Sequence, residues 1–406
     1  MRIPLFGAIL LPLFTILTDV FLYESIRRKY GAKNWVTVIY GVSAILCWIA
    51  LAVILLMPRR SVDGDIMPIM WSLYAYISVY IPKFIIAVFS LIGLIPQIFK
   101  KRRLRLGLYV GLPVGLLVFC TLWYGALVGR YRLDVNDIVF TSEKLPAAFD
   151  GYSIVQFSDA HVGTWGNDTT FVSQLVDSIN SLKPDLIVFT GDIVNRTTEE
   201  IRPFEKVLSR LRARDGVISI LGNHDYGDYI TWNTPEEKKA NLDSLIQIQK
   251  RMGWKHLNNE HLFLHCGNDS IAIIGVENWG EPPFATYGNL GKAFPLSPDS
   301  AYHVNDGNFK ILLSHNPEHW NRHISKKTNI DLTLSGHTHA MQVMLNLFGW
   351  RWSPSEYIYE QWTGRYDRKT DKGEPVSIYV NIGCGEVGMP YRIGADAEIT
   401  RITLKR

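Results

Sequence analysis

From residue 159 onward, seven side chains able to ligate a metal recur along this 406-residue chain, each just after a short apolar run. They are Asp159 and His161 in an Asp-x-His, Asp192 after Gly191, Asn223 in Gly-Asn-His-Asp, His315 in Ser-His-Asn, and His337 and His339 in Gly-His-x-His. The runs that precede them, 154–157 and 186–189 among them, read as β-strands. A strand that stops at a loop presents a carboxylate or imidazole from its carboxyl end, and parallel strands ending together converge such groups on one point. Two divalent cations about 3.5–4 Å apart need a bridging carboxylate and several terminal nitrogen and oxygen donors. The chain carries that inventory.

In this order and spacing the motifs resemble the calcineurin-like metallophosphoesterases. The resemblance extends to the membrane-anchored bacterial branch, whose last motif reads Gly-His-Thr-His followed by a small residue and Gln, here Gly336-His337-Thr338-His339-Ala340-Met341-Gln342. Gly388-Met389-Pro390-Tyr391-Arg392, before a final strand, is similar to that branch too, and the likeness covers roughly residues 134–406. It implies an α/β domain of two packed mixed β-sheets flanked by helices, a four-layer αββα sandwich. It assigns Asp159, His161 and His339 to one metal and Asn223, His315 and His337 to the other, with Asp192 bridging. It makes His224 the acid or electrostatic partner of the leaving oxygen rather than a ligand. Metal-activated water would then attack phosphorus in line. One position departs from the pattern: protein phosphatases of the family carry Gly-Asp-x-x-Asp, whose second Asp orients the catalytic histidine, and here Asn195 stands in its place. An amide orients an imidazole without stabilising its charge, which leaves Asn195 and Asp225 as the candidates for that role.

The elements that must position these groups follow in order. A first strand is expected within 131–150 and a second at 152–158. A helix from about 168 to 182 carries Phe171, Val172, Leu175, Val176 and Ile179 on one face and stops at Lys183-Pro184. A strand at 185–190 is apolar throughout, as befits one buried on both faces. A helix at 199–214, a strand at 216–221, a helix entered at Thr234-Pro235, and strands at 270–276, 309–314, 330–335, 377–382 and 398–404 complete the set.

The first 130 or so residues are different in kind. Four apolar spans, 3–22, 35–57, 67–99 and 106–128, are each about as long as the 20 residues that cross a bilayer. No small-residue cleavage site follows the first, where Asp19 and Glu24 stand, so it reads as an uncleaved helix. The third contains Pro82-Lys83 and is long enough for one kinked span with an interfacial segment or for two short ones. With four crossings, the connectors holding Arg27, Arg28, Lys29, Lys33, Lys100, Lys101, Arg102, Arg103 and Arg105 outweigh the side holding Arg2, Arg59, Arg60, Arg130 and Arg132, which also carries Asp63 and Asp65. The nine go to the cytoplasm and the catalytic domain outside it. The expected division is a transmembrane region at 1–130 and a catalytic domain at 131–406, in a bacterial inner membrane with the latter periplasmic.

The remaining features are weaker. A net charge of +4, gathered beside the spans, is no nucleic-acid footprint. Cys47 and Cys120 fall within spans, and Cys266 and Cys384 read as two small buried residues rather than a bridge. His319 and His323 have helical ligand spacing but no acidic residue in register, while His256, His261, His265 and His303 read as surface or loop residues. Trp350, Trp352, Tyr357, Tyr359 and Trp362 form an aromatic insertion with two readings, a lid or membrane-facing lip and a packed loop over a sheet edge. The whole reads as a membrane-anchored phosphoesterase with two divalent ions (Mn, Fe or Zn, with Mn the first choice). Its expected substrate is a phosphodiester, phosphomonoester or pyrophosphate, such as a lipid-linked envelope compound of the UDP-diacylglucosamine type. That compound is cytoplasmic and sits awkwardly with the orientation. The alternative, a membrane sensor or scaffold that keeps the metal fold, has no use for a bridging Asp192 or a free His224, and oligomeric state is open.

Overall fold

A computed structural model describes residues 5–58, 66–280, 282, 285–294 and 308–406, with side chains from residue 9. Arg2, Arg59, Arg60, Asp63, Asp65 and His303 lie outside the described residues. The chain divides into two compact units, Met1–Val128 with Gly388–Tyr391, and Gly129–Val387 with Arg392–Arg406.

The first unit is helical. Helices α1 (Leu5–Tyr30), α2 (Trp35–Leu56), α3 (Met67–Ile92), a short α4 (Ile95–Ile98) and α5 (Leu112–Leu127) supply four spans long and apolar enough to cross a bilayer. α3 runs unbroken through Pro82 for 26 residues, about 39 Å at 1.5 Å per residue, so the third apolar stretch is one span followed by a helical turn rather than two short spans. Gly107, Gly111 and Gly115, four residues apart, face α3: a methyl group on Gly111 would lie 3.0 Å from the Ile86 Cα, and one on Gly115 3.2 Å from the Pro82 carbonyl oxygen. This small-residue stripe lets two helices approach closely where lipid supplies no hydrophobic drive. Asp19 is buried among α1, α2 and α3, and accepts hydrogen bonds from Tyr40, Trp48, Tyr80 and Lys83.

Among its described residues the second unit holds fourteen strands: β1 (Leu133–Thr141), β2 (Ser153–Phe157), β3 (Leu186–Phe189), β4 (Val217–Ser219), β5 (Trp254–His256), β6 (Glu260–Cys266), β7 (Asp269–Gly275), β8 (Lys310–Leu313), β9 (Leu332–Ser335), β10 (Leu345–Leu347), β11 (Trp350–Trp352), β12 (Gly364–Lys369), β13 (Pro375–Val380) and β14 (Ala397–Lys405). Two mixed six-stranded sheets, ordered β1-β14-β2-β3-β4-β5 and β12-β13-β9-β8-β7-β6, pack face to face. Strand alternation sorts the side chains into layers. Ile154, Leu186, Val188 and Ile218 meet Ile273, Ile311, Leu313 and Leu334 between the sheets. Their neighbours Val155, Ile187 and Phe189 turn outward onto helices α6 (Thr170–Ser181), the single turn α7 (Glu205–Leu208) and α8 (Pro235–Arg251). Trp320 and Ile324 cover the other sheet. The result is the αββα sandwich that the motifs implied.

Local chemistry explains the helix ends. Thr234 accepts the Glu237 N–H and Pro235 occupies the first turn, which starts α8 where expected. The helix expected at 199–214 does not form: Pro203, which has no N–H to give, lies within a 3₁₀ segment, Thr198–Phe204, and only the α-turn Glu205–Leu208 follows. His256 also differs from its surface reading, being buried at the end of β5 with its ring 3.3 Å from the Ser219 hydroxyl. All four cysteines are free, and the Cys384 thiol donates to the Ser158 carbonyl. Arg130, counted above with the membrane-flanking cations, is buried against Glu386 and Trp165.

Candidate metal centre

β2, β3 and β4 lie side by side and parallel in one sheet, and β8 and β9 in the other, so five adjacent carboxyl ends face one region. The chain leaves them through sharp turns. Asp159, His161, Asp192, His337 and His339 all have positive φ, between 40° and 76°, a conformation that non-glycine residues seldom adopt. Glycines make the room. A methyl group on Gly222 would sit 2.1 Å from the Asp192 carboxylate, and one on Gly336 2.2 Å from that of Asp159.

Three groups of ligating atoms result, each within 4.8 Å: Asp159, His161 and His339; Asp192, His315 and His337; and His161, Asp192 and His224. The donors face one another. His161 Nε2 lies 3.2 Å from His339 Nε2, and His337 Nδ1 3.2 Å from His315 Nε2. Asp192 Oδ2 lies between the sets, 3.2 Å from His315 Nε2 and 3.7 Å from His161 Nε2. Asn223 gives its amide N–H to Tyr229, and its buried Oδ1 has no hydrogen-bond partner among the described residues.

The outer ring atoms fix which nitrogen looks inward. His161 Nδ1 is bonded to the Val194 carbonyl and His315 Nδ1 to the Thr190 carbonyl, so each donates its Nδ1 proton outward and directs Nε2 at the carboxylates. His337 Nε2 meets the Tyr359 hydroxyl at 3.1 Å. The fully buried Arg392 spans the carbonyls of Ile382, Gly383, Gly385 and Ala395 and reaches 3.4 Å from His339 Nδ1. Burial opposes a charge on His315, yet Asp192 and Asp159 push it up to about 9, whereas burial and the charge on His315 take His337 down to about 3. The carboxylates therefore call for a positive charge among the rings. Donors 3.2 Å apart are also spaced as two ligands about 2.0–2.2 Å from a shared ion. Facing nitrogens, an orphaned amide oxygen and an intervening carboxylate fit a pair of divalent cations.

His224 is partly exposed at the mouth, and its Nδ1 donates to the Asn195 backbone carbonyl at 2.7 Å. Neither side chain expected to orient it does so. Asn195 Nδ2 donates to the Glu386 carbonyl, and Asp225 accepts the backbone N–H groups of Gly222, Asp192, Ile193 and Val194. Burial and the charge of Asp192 raise the Asp225 carboxyl to about 7, while burial lowers His224 against the pull of Asp192. Sequence reasoning missed Tyr229 and Tyr359 as supports of Asn223 and His337, and Arg392 as the brace of the carbonyls beside His339. Their signal was the company they keep, since each follows a ligand motif or lies in the tail motif. His319 stacks on Trp279 and binds Ser314, so the His319/His323 pair serves packing.

Comparison with known proteins agrees with this geometry. Residues 152–341 match the calcineurin-like phosphoesterase family, and residues 1–130 match the transmembrane domain of probable calcineurin-like phosphoesterases. The uncharacterized metallophosphoesterase YkuE of Bacillus subtilis is 31% identical over 75% of this chain and 98% of its own. The uncharacterized metallophosphoesterase Cj0846 of Campylobacter jejuni is 23% identical over 99% of this chain and 98% of its own. A third relative, UDP-2,3-diacylglucosamine pyrophosphatase LpxG of Chlamydia muridarum, is 28% identical over 50% of this chain and 68% of its own. With the ligating groups assembled at the strand ends and a helical membrane region ahead of them, the chain belongs to the calcineurin-like metallophosphoesterases, as an integral membrane hydrolase of a family that works with two metal ions.

Proposed function

We propose that the chain hydrolyses a phosphoester or pyrophosphate bond in a lipid-linked envelope compound. In this reading Asp159, His161 and His339 would hold one divalent cation and Asn223, His315 and His337 the other, with Asp192 shared between them. The observation that carries it is the pair of facing imidazole sets with Asp192 Oδ2 between them. Two ions bound there would lower the pKa of water and neutralise charge on the phosphoryl oxygens.

The chain's own groups supply the rest. His224 spends its Nδ1 proton on the Asn195 carbonyl, which fixes the ring and reserves Nε2 to pass a proton to the leaving oxygen. Asp225 is a positioning residue that ties the Asp192 turn to the Gly222 turn through backbone amides. Tyr229 and Tyr359 hold Asn223 and His337 in place from behind, and Arg392 ties together the carbonyls of Ile382, Gly383 and Gly385 beside His339. The mixed nitrogen and oxygen set suits Mn, Fe or Zn, and Mn is the ion to try first.

Membrane tethering keeps the site within reach of headgroups, which supports a lipid-linked substrate. The likeness to LpxG adds a UDP-diacylglucosamine type to that class. The basic connectors favour an extracytoplasmic domain, where a lipid phosphoester rather than a cytoplasmic nucleotide conjugate is presented. The test uses the full chain in detergent, stripped with chelator and reloaded with Mn. Metal content and turnover of a bis-aryl phosphodiester and an aryl monoester are measured. The expected result is about two ions per chain, restored hydrolysis of at least one ester, and loss of both in His337→Ala. A chain that binds no metal overturns the reading.

A further inference from the structure

β10 and β11 make a two-stranded hairpin outside both large sheets. Its register pairs Leu345 with Trp352, Asn346 with Arg351, and Leu347 with Trp350. Residues directly opposite share a face, so one side carries Leu345, Leu347, Trp350 and Trp352, and the other Asn346 and Arg351. Among the described residues, Leu345, Leu347 and Trp350 on the apolar side belong to no buried cluster. Leu347 and Trp350 are more than half exposed.

The turn adds an independent feature. Phe348 and Gly349 both have positive φ, 51° and 86°, as a two-residue turn of the primed type demands. Asn or Asp is the comfortable first residue there, and a bulky aromatic side chain is not. The chain nonetheless places Phe348 at the tip, fully exposed to water. Tyr357 and Ile358 continue the exposed apolar surface just beyond β11.

We propose that this hairpin docks in the headgroup and upper acyl region of the bilayer that the helices cross. Two observations select that occupant. The hairpin sets an aromatic and aliphatic face back to back with an exposed Arg351 near its tip, a pairing of apolar face and cation that suits the boundary between chains and lipid phosphates. The strand entering the hairpin is also bridged to residues that directly follow the Gly388–Tyr391 segment in the chain. Val343 bridges to Ile393 and the Met344 N–H donates to the Ile393 carbonyl. Ile393 follows Tyr391, the last residue of the segment grouped with the helices, by two residues, a reach of about 7 Å. Docking would hold at the interface a segment that begins at His339 and ends at Tyr359, which supports His337. The inference does not depend on catalysis.

The test attaches an environment-sensitive fluorophore to Phe348→Cys, and separately to Asn346→Cys, in the full chain with Cys47, Cys120 and Cys266 replaced by Ala. Each chain is placed in nanodiscs of phosphatidylethanolamine and phosphatidylglycerol. Lipids brominated on the upper acyl chain should quench the label at 348 several-fold more than the label at 346, and aqueous iodide should show the reverse order. Leu347→Cys replaces Phe348→Cys if the latter fails to fold, with the same expectation. Equal iodide quenching at both sites overturns the assignment. So does a 348 label shielded from both quenchers, which means that protein covers the face. Retained turnover of a soluble aryl ester by the labelled chains separates these outcomes from failure of the catalytic reading.

Discussion

Each unit of this chain buries a carboxylate in a nest of aromatic and basic side chains, and the two nests are built to opposite ends. Asp19 is saturated: Tyr40 and Lys83 donate to Oδ1 at 2.7 and 3.0 Å, Tyr80 and Trp48 to Oδ2 at 2.6 and 3.0 Å. All four of these donors are drawn from α2 or α3. Asp192 accepts one backbone N–H on Oδ1, from His224, and turns Oδ2 toward two imidazole nitrogens whose outer protons are already spent on carbonyls. A closed nest fastens helices. An arrangement of acceptors facing acceptors awaits a cation. Burial alone therefore does not mark a site, and the direction in which protons point does.

The sharpest way to break this comparison is to remove the charge from each nest. Asp192→Asn should lower hydrolysis by at least about 10³-fold, the upper end for loss of one electrostatic stabiliser, and cut bound metal below two ions while the chain still elutes as folded protein. Asp19→Asn should do the converse. It leaves the Lys83 ammonium in the helical unit without its counter-ion, at a cost of about 3–5 kcal/mol visible as a lower unfolding midpoint in detergent, with turnover per folded chain unchanged. Replacing both partners, Asp19→Leu with Lys83→Met, should recover only part of the lost stability, because the ion pair is removed as a unit while Tyr40, Trp48 and Tyr80 still lose their acceptor. A double variant no more stable than Asp19→Asn would mean that the bonds from Tyr40, Trp48 and Tyr80, rather than the ion pair, fasten the nest.

Within the metal-centre nest, His224 separates binding from proton transfer. His224→Ala should cost about 10²-fold on an ester with an alkyl leaving group, the low end for general acid catalysis, and much less on a nitrophenyl ester whose leaving oxygen needs no proton. Metal content should not change. Equal losses on both esters would make His224 a positioning group like Asp225.

These contrasts explain what could be read in advance. The seven candidate ligands were legible because each is a chemically rare side chain at the end of a β-run, and convergence follows from β2, β3 and β4 being parallel neighbours. The sandwich was legible for the same reason, since alternation assigns Ile154 and Val155 to opposite layers. The helix at 199–214 was not, because its apolar spacing persists through Pro203 while the backbone does not. Nor was the Asp19 nest: its donors stand 21, 29, 61 and 64 residues away and no local motif links them. The aromatic insertion was ambiguous as a block because it divides. Trp362 joins a buried cluster, Tyr359 supports His337, and Trp350 lies exposed on the hairpin.

The smallest expected effect concerns the residue that looked most out of place. Asn195 stands where protein phosphatases of the family carry an acid, yet His224 is held by the Asn195 main-chain oxygen, which no substitution of the side chain removes. The side chain makes one hydrogen bond, to the Glu386 carbonyl, and its buried Oδ1 makes none among the described residues. Asn195→Ala should therefore cost about 1 kcal/mol of stability, the worth of one net hydrogen bond, and change turnover less than about threefold, with the acid limb of the pH–rate profile in place. Asn195→Asp should not help. A carboxylate there meets the carbonyl of Glu386, and the Glu200 carboxylate already accepts the Asn195 N–H, so the new charge has like charge for company. If Asn195→Ala instead moves the acid limb by a pH unit or more, the side chain is the orienting group after all and the main-chain bond is secondary.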